Sequence, residues 1–206
     1  MSTPDSVSCQ CTKNSYGNNC EYIHLNSSIF KTSTILNQQQ SVDLLNMIGW
    51  SINSNFTLIY QASVDGFDVD TSQQQFCSAN NLVLFKTQDS YVFGGYRESP
   101  AAMCSGKEIS ENEFIFSLIN LYGAPVTMSL VNATNDNDPF SFGADIAVDI
   151  GSASAYSDLG TNFQVPFNMI YQSSEAQNFL AGSQNTDLFE VEIYQLDRKY
   201  ILFLYK

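Results

Sequence analysis

Carboxylates dominate the reactive side chains of this sequence: twenty-one acidic residues stand against eight basic ones and a single His24. Glu190 and Glu192 alternate within Phe189 to Tyr194, so on a strand they share one face, which by itself reads as a solvated strand surface. Asp65, Asp68 and Asp70 fall within six residues, and Asp136, Asp138 and Asp145 surround a second loop. Oxygen ligation of calcium is conceivable at either place, but the D-x-D-x-D-G spacing is absent and no metal is assigned. There is no G-x-S-x-G elbow, Walker loop, dinucleotide glycine pattern or H-E-x-x-H. His24 precedes the main domain, so a Ser-His or Cys-His dyad would need a base from outside the fold. No catalytic residue and no cofactor are expected.

The cysteines carry a second pattern. Cys9, Cys11 and Cys20 follow C-x-C-x5-G-x2-C, with Gly17 as the glycine. A metal site there would lack a usual fourth ligand, and three unpaired thiols in a polar arm remain open. The spacing resembles the closing half of an EGF-like module. That resemblance implies a Cys11 to Cys20 disulfide, a partner for Cys9 upstream of Met1, a chain cut from a longer protein, and an oxidising compartment. Three sequons, at Asn26, Asn55 and Asn132, are compatible with glycosylation. With five cysteines in all, at least one is free or bonded to another molecule.

These residues must be held by elements that the hydrophobic periods outline. Val42, Leu45 and Ile48 recur at threes beside Leu44, which predicts one amphipathic helix over Gln38 to Ile48, ended by Gly49 and anchored by Trp50. The period then changes to two. Leu58–Tyr60, Leu82–Phe85, Tyr91–Phe93, Phe114–Leu118, Thr127–Val131, Ile146–Ile150, Phe189–Tyr194 and Tyr200–Leu204 read as short strands. Ser110-Glu111-Asn112-Glu113 could open a helix, but Phe114, Phe116 and Leu118 alternate and the segment is read as strand. The Gln73–Gln75 run is read as loop filling. The expected class is mainly β with minor α (α+β), a two-sheet antiparallel β-sandwich with one or two short helices. Residues 1–22 form a polar arm with the EGF-like remnant, 23–34 a connector and 35–206 the sandwich domain. A net charge of −13 repels a phosphate backbone, so nucleic acid is not an expected partner. No apolar run approaches the roughly 20 residues of a membrane helix.

Several motifs occur in one order: Leu58-Ile59-Tyr60 and Ser63 before Asp65-Gly66-Phe67, then Phe76-Cys77, Leu82-Val83-Leu84-Phe85-Lys86, Phe93-Gly94-Gly95-Tyr96, Phe142-Gly143-Ala144-Asp145, Phe179-Leu180-Ala181-Gly182 and Phe189 to Tyr194. Together, over residues 32 to 196, they resemble a TLDc domain. The resemblance implies oxidation resistance and binding to the vacuolar proton pump (V-ATPase), with no agreed catalytic machinery. It makes Cys77 a small buried hydrophobe rather than a reactive thiol. Asp65 is expected to cap its turn, and Gly94 and Gly95 to allow close backbone approach while Phe93 and Tyr96 pack the core. Acidic residues are common in the family where Glu190 and Glu192 stand, which makes them candidates for an activity. The family's usual Trp after Phe-Gly-Gly-Tyr is missing from Glu98 to Met103, and Cys104 could tether a rebuilt loop there. The resulting expectation is a non-catalytic TLDc-like interaction module, extracellular, at the cell surface or lumenal, acting through protein or glycan contacts. The rivals are an intracellular, cytoplasmic TLDc protein acting in oxidation resistance or on the proton pump, and an enzyme using Glu190 or Glu192.

Overall fold

The computed structural model describes residues 15–16, 22–23, 30–50, 54–77, 80–98, 112–132 and 140–196. Two short strands, β1 (Ser15–Tyr16) and β2 (Tyr22–Ile23), pair antiparallel. The main domain contains β3 (Phe56–Gln61), β4 (Asn81–Thr87), β5 (Val92–Arg97), β6 (Glu113–Ile119), β7 (Val126–Ser129), β8 (Ile146–Asp149), β9 (Ser154–Ser157) and β10 (Asn185–Leu196). Its helices are α1 (Gln38–Ile48), α2 (Ala62–Asp65), α3 (Val69–Phe76) and α4 (Ser174–Asn178), with a 3₁₀ turn at Pro166–Asn168.

The mainly β, α+β class expected from the sequence is what the structure has. All pairings are antiparallel, and the strands run in the order β7-β6-β5-β4-β10-β9-β8. The two layers of the expected sandwich are joined through β10. It pairs with β4 along one edge, and its other edge is divided between β9, through Asn185–Asp187, and β3, through Glu192–Leu196.

The central strands β4 and β5 are buried on both faces, so they read as continuous apolar runs rather than alternating ones. One face carries Val83, Phe85, Phe93, Ile115, Val191 and Ile193, covered by β8, β9, the helical residues Phe76 and Ala176, and Phe179 just after α4. The other carries Leu82, Leu84, Tyr96, Phe116 and Tyr194, covered by Phe30, Ile35, Leu36 and the α1 residues Leu44 and Leu45. Trp50 packs on that second layer, 4.7 Å from the Tyr96 ring centre and stacked on Phe56 at 5.4 Å.

Helix α1 starts at a capping box in which Asn37 Oδ1 accepts from Gln40 N (2.9 Å) and Gln40 Oε1 from Asn37 N (2.8 Å). It stops at Gly49, whose φ of 70° is the left-handed cap that glycine adopts without strain. The Gln73–Gln75 run belongs to α3, not to a loop. Asp68 Oδ1 caps that helix by accepting from Thr71 N (2.7 Å), and Gln is a good helix former once a cap is supplied. Helices α2 to α4 went unread because four to eight residues complete too few turns to show a helical period, and β9, Ser-Ala-Tyr-Ser, because it has no β-branched residue and one aromatic. The expected final strand, Tyr200–Leu204, and the Ser110 capping box lie outside the described residues.

Residues 30–34, read from the sequence as connector, are part of the domain. Phe30 is buried with its ring 4.8 Å from Tyr194 and 5.0 Å from Phe56, and Ser33 and Thr34 bond to β10. Residues 30–36 therefore form a strap across the sheet.

Candidate functional site

The strap explains the acidic pair. Glu190 and Glu192 do share a face of β10, but that face is not solvated: both side chains are buried, Glu192 completely. Glu192 accepts from Ser33 Oγ (2.6 Å), Thr34 N (2.6 Å), Thr34 Oγ1 (3.0 Å) and Tyr194 Oη (2.9 Å). Glu190 accepts from Ser63 N and Val191 N, each at 3.0 Å. Thr34 Oγ1 also lies 3.3 Å from Glu190 and accepts from the Gln61 amide at 2.9 Å. Among the described residues neither carboxylate has a cationic partner. The arrangement is that of a latch: two acceptors with amide and hydroxyl donors closed over them, tying the strap and α2 to β10.

The glycine and aspartate motifs are places where backbone passes close to something else. A Cβ on Gly94 would fall on the Val83 carbonyl oxygen and the Phe116 ring, and one on Gly95 would fall inside the Phe142 ring. Phe93 and Tyr96 are buried in opposite layers of the core. Gly143 (φ 62°) leaves no room for a Cβ against the Asn162 side chain, and Gly182 (φ 77°), next to buried Ala181, leaves none against Tyr91. Asp145 is buried and accepts from the amides of Gly160, Thr161 (3.0 Å), Asn162 (2.5 Å) and Phe163 (3.3 Å), which folds the 160–163 loop around it. Burial pushes the Asp145 carboxyl above its usual pKa, and those four amides pull against the shift. Asp65 Oδ2 accepts from Gln61 N (2.8 Å), Gly66 O accepts from the Tyr60 hydroxyl (2.7 Å), and Phe67 packs on the core.

Cys77, expected as a small buried hydrophobe, is disulfide-bonded and only partly buried, because it caps the end of α3 at the rim of the core. The other four cysteines, the expected Cys11–Cys20 pair included, lie outside the described residues, as do Asn26, Asp136 and Asp138. Asn55 and Asn132 are exposed, with the Asn132 amide donating to Thr161 O (2.7 Å). Among the described residues no cluster of three His, Cys, Asp or Glu side chains could hold a metal, and no helix is long and apolar enough to cross a membrane.

Two features escaped the sequence reading. Arg97 and Glu113 form an ion pair with both side chains fully buried, the guanidinium also donating to Ser141 O (2.7 Å) and lying 4.8 Å from the Phe142 ring centre. A basic residue directly after an aromatic strand, in a chain with only eight, was a usable signal. The second is an exposed apolar surface. Phe167 is 49% exposed and Ile170 75%, with Tyr171, Leu121 and Tyr122 also exposed, and Tyr122 stacks on Phe167 at 5.4 Å. Its backbone is unusual, since Phe167, Asn168 and Gln172 all take left-handed φ values of 54°, 57° and 60°.

A curled antiparallel sheet whose motif residues serve as caps, close approaches and buried acceptors defines a β-rich domain held by backbone contacts at those motifs. The TLDc domain model matches residues 29–197, and the chain belongs to the TLDc family. A search of curated proteins returns no match.

Proposed function

We propose that this TLDc domain is a non-catalytic interaction module working in an oxidising compartment, outside the cell or in the secretory lumen, through contact with a protein partner. The exposed aromatic surface of Leu121, Tyr122, Phe167, Ile170 and Tyr171 carries the reading. Apolar side chains gathered on one surface cost solvation unless something covers them, and aromatic residues are the usual anchors of interfaces. Left-handed backbone at three non-glycine residues costs on the order of 1 kcal/mol each, which favours a presented loop over a relaxed one. The disulfide at Cys77 supports the compartment, because reducing cytosol does not maintain structural disulfides. Burial of Glu190 and Glu192 beneath the strap argues against their use on a substrate.

Family membership favours a second reading, a cytoplasmic protein that binds the proton pump. Cross-linking mass spectrometry on the glycosidase-treated, secretory-expressed chain separates the two. A partner cross-linked through residues 165–172, and lost when Phe167 and Ile170 are replaced by Ser without change in melting, is the expected result. Retention of that partner by the double variant sinks the loop as the contact. Cys77 alkylated without reductant, together with binding of the reduced chain to purified pump, would transfer the assignment to the second reading.

A further inference from the structure

The arm formed by β8, β9 and the start of β10 has one face in the core and the other open to solvent, and the open face is organised. Its register sets Ala147, Tyr156 and Asn185 in one row and Asp149, Ser154 and Asp187 in the next. A shallow depression of about 420 Å³, open to solvent, lies over these two rows. Small side chains, Ala147 and Ser154, make its floor. Tyr156 stands at one end, 36% exposed, its hydroxyl accepting from Gln184 Nε2 (2.9 Å) and directed to Asp158 Oδ2 (3.5 Å), so that the ring is held in place.

The polar groups around the floor differ in what they have left to offer. Asp149 is engaged by the Ser152 hydroxyl and amide, which hold its carboxyl below the usual value. The Asn185 amide and the Asp187 carboxylate, by contrast, have no hydrogen-bond partner among the described residues. They sit two apart on β10, roughly 7 Å along the strand and on the same side as Tyr156. An amide both donates and accepts, as a ligand hydroxyl does, whereas a cation could use only its oxygen. No Lys or Arg lines the depression, and in a chain of charge −13 that rules against a phosphate or sulfate ligand.

We propose that this face is a binding site for a neutral saccharide, with the Tyr156 ring covering the sugar's C–H face and Asn185 and Asp187 bonding adjacent hydroxyls. The site uses none of the residues of the apolar loop and does not depend on that loop's role. Saturation-transfer NMR on the full chain, against a panel of neutral gluco-, manno-, galacto- and chito-oligosaccharides, tests it. At least one class should bind saturably, with affinity falling about tenfold in Tyr156→Ala and in Asn185→Ala. Asp187→Asn should stay within about threefold of the wild type, because an amide still accepts from a hydroxyl. Melting should not move in any of these variants, since the side chains are exposed; should Tyr156→Ala melt early, Asn185→Ala and Asp187→Asn carry the comparison. Absence of saturable binding across the panel overturns the proposal. So does saturable binding of an Arg- and Lys-rich peptide that Asp187→Asn abolishes, since that would make the face a contact for a basic segment.

Discussion

At the scale of single residues, the least tolerant positions are those where one atom has no alternative location. Gly94 faces a main-chain carbonyl, and Gly95 faces the fully buried Phe142 ring, which Arg97 packs against. Both Gly94→Ala and Gly95→Ala are therefore expected to cost at least the about 1–3 kcal/mol typical of overpacking, Gly94→Ala the more because a strand carbonyl has less room to shift than a side chain. Urea unfolding of the two variants measures the order, and equal, wild-type midpoints would show that neither approach is tight. Arg97 makes a different demand. Removing it in Arg97→Met leaves the Glu113 carboxylate buried without its cation, a loss on the order of 3–5 kcal/mol. Arg97→Met with Glu113→Leu should recover most of that loss, because an apolar pair leaves no orphaned charge. A double variant no more stable than the single one would mean that the ion pair is itself a net stabiliser.

At the scale of elements, the strap is held more by its bonds to β10 than by its length. Phe30 sits at φ 55°, in the left-handed region, and inserts between Phe56 and Tyr194, while Glu192 gathers four donors from Ser33, Thr34 and Tyr194. Glu192→Gln replaces one acceptor by a donor that faces other donors, and should cost about 2–3 kcal/mol. Hydrogen exchange locates the effect: the Thr34 amide should lose protection by local opening of residues 30–36, while β4 and β5 amides exchange only with global unfolding. Equal loss of protection throughout would show that strap and sheet are one cooperative unit.

At the scale of the whole molecule, two tyrosines link stability to alkaline pH. Burial, with the nearby charges of Asp65 and Glu190, raises the Tyr60 hydroxyl from 10.0 to about 12. Burial and the neighbouring Glu192 raise Tyr194 further. A hydroxyl whose folded pKa lies above its unfolded value contributes stability that is complete below about pH 10. That contribution fades as pH climbs through the folded pKa, so stability should fall between about pH 10 and 12 as the unfolded chain releases protons that the fold retains. In a titration followed by tyrosinate absorbance, the last hydroxyls to ionise should do so together with loss of the sheet signal in circular dichroism. Complete ionisation of all eleven tyrosines with the sheet intact would contradict their burial.

The local pattern of the sequence determined the class of fold, the helix over Gln38 to Ile48, most of the strands and the family motifs. These depend on periodicity, caps and glycines, which act between near neighbours in the chain. What Glu190 and Glu192 face could not be read that way: the alternation that puts them on one side of β10 is the same whether that side meets water or Ser33 and Thr34, more than 150 positions away. Arg97 finding Glu113, the row of Tyr156 and Asn185, and the exposure of Phe167 likewise arise only when distant strands and loops are brought into register. Side-chain type sets what a residue can bond to, while burial and partner are settled by tertiary contacts that no local period encodes.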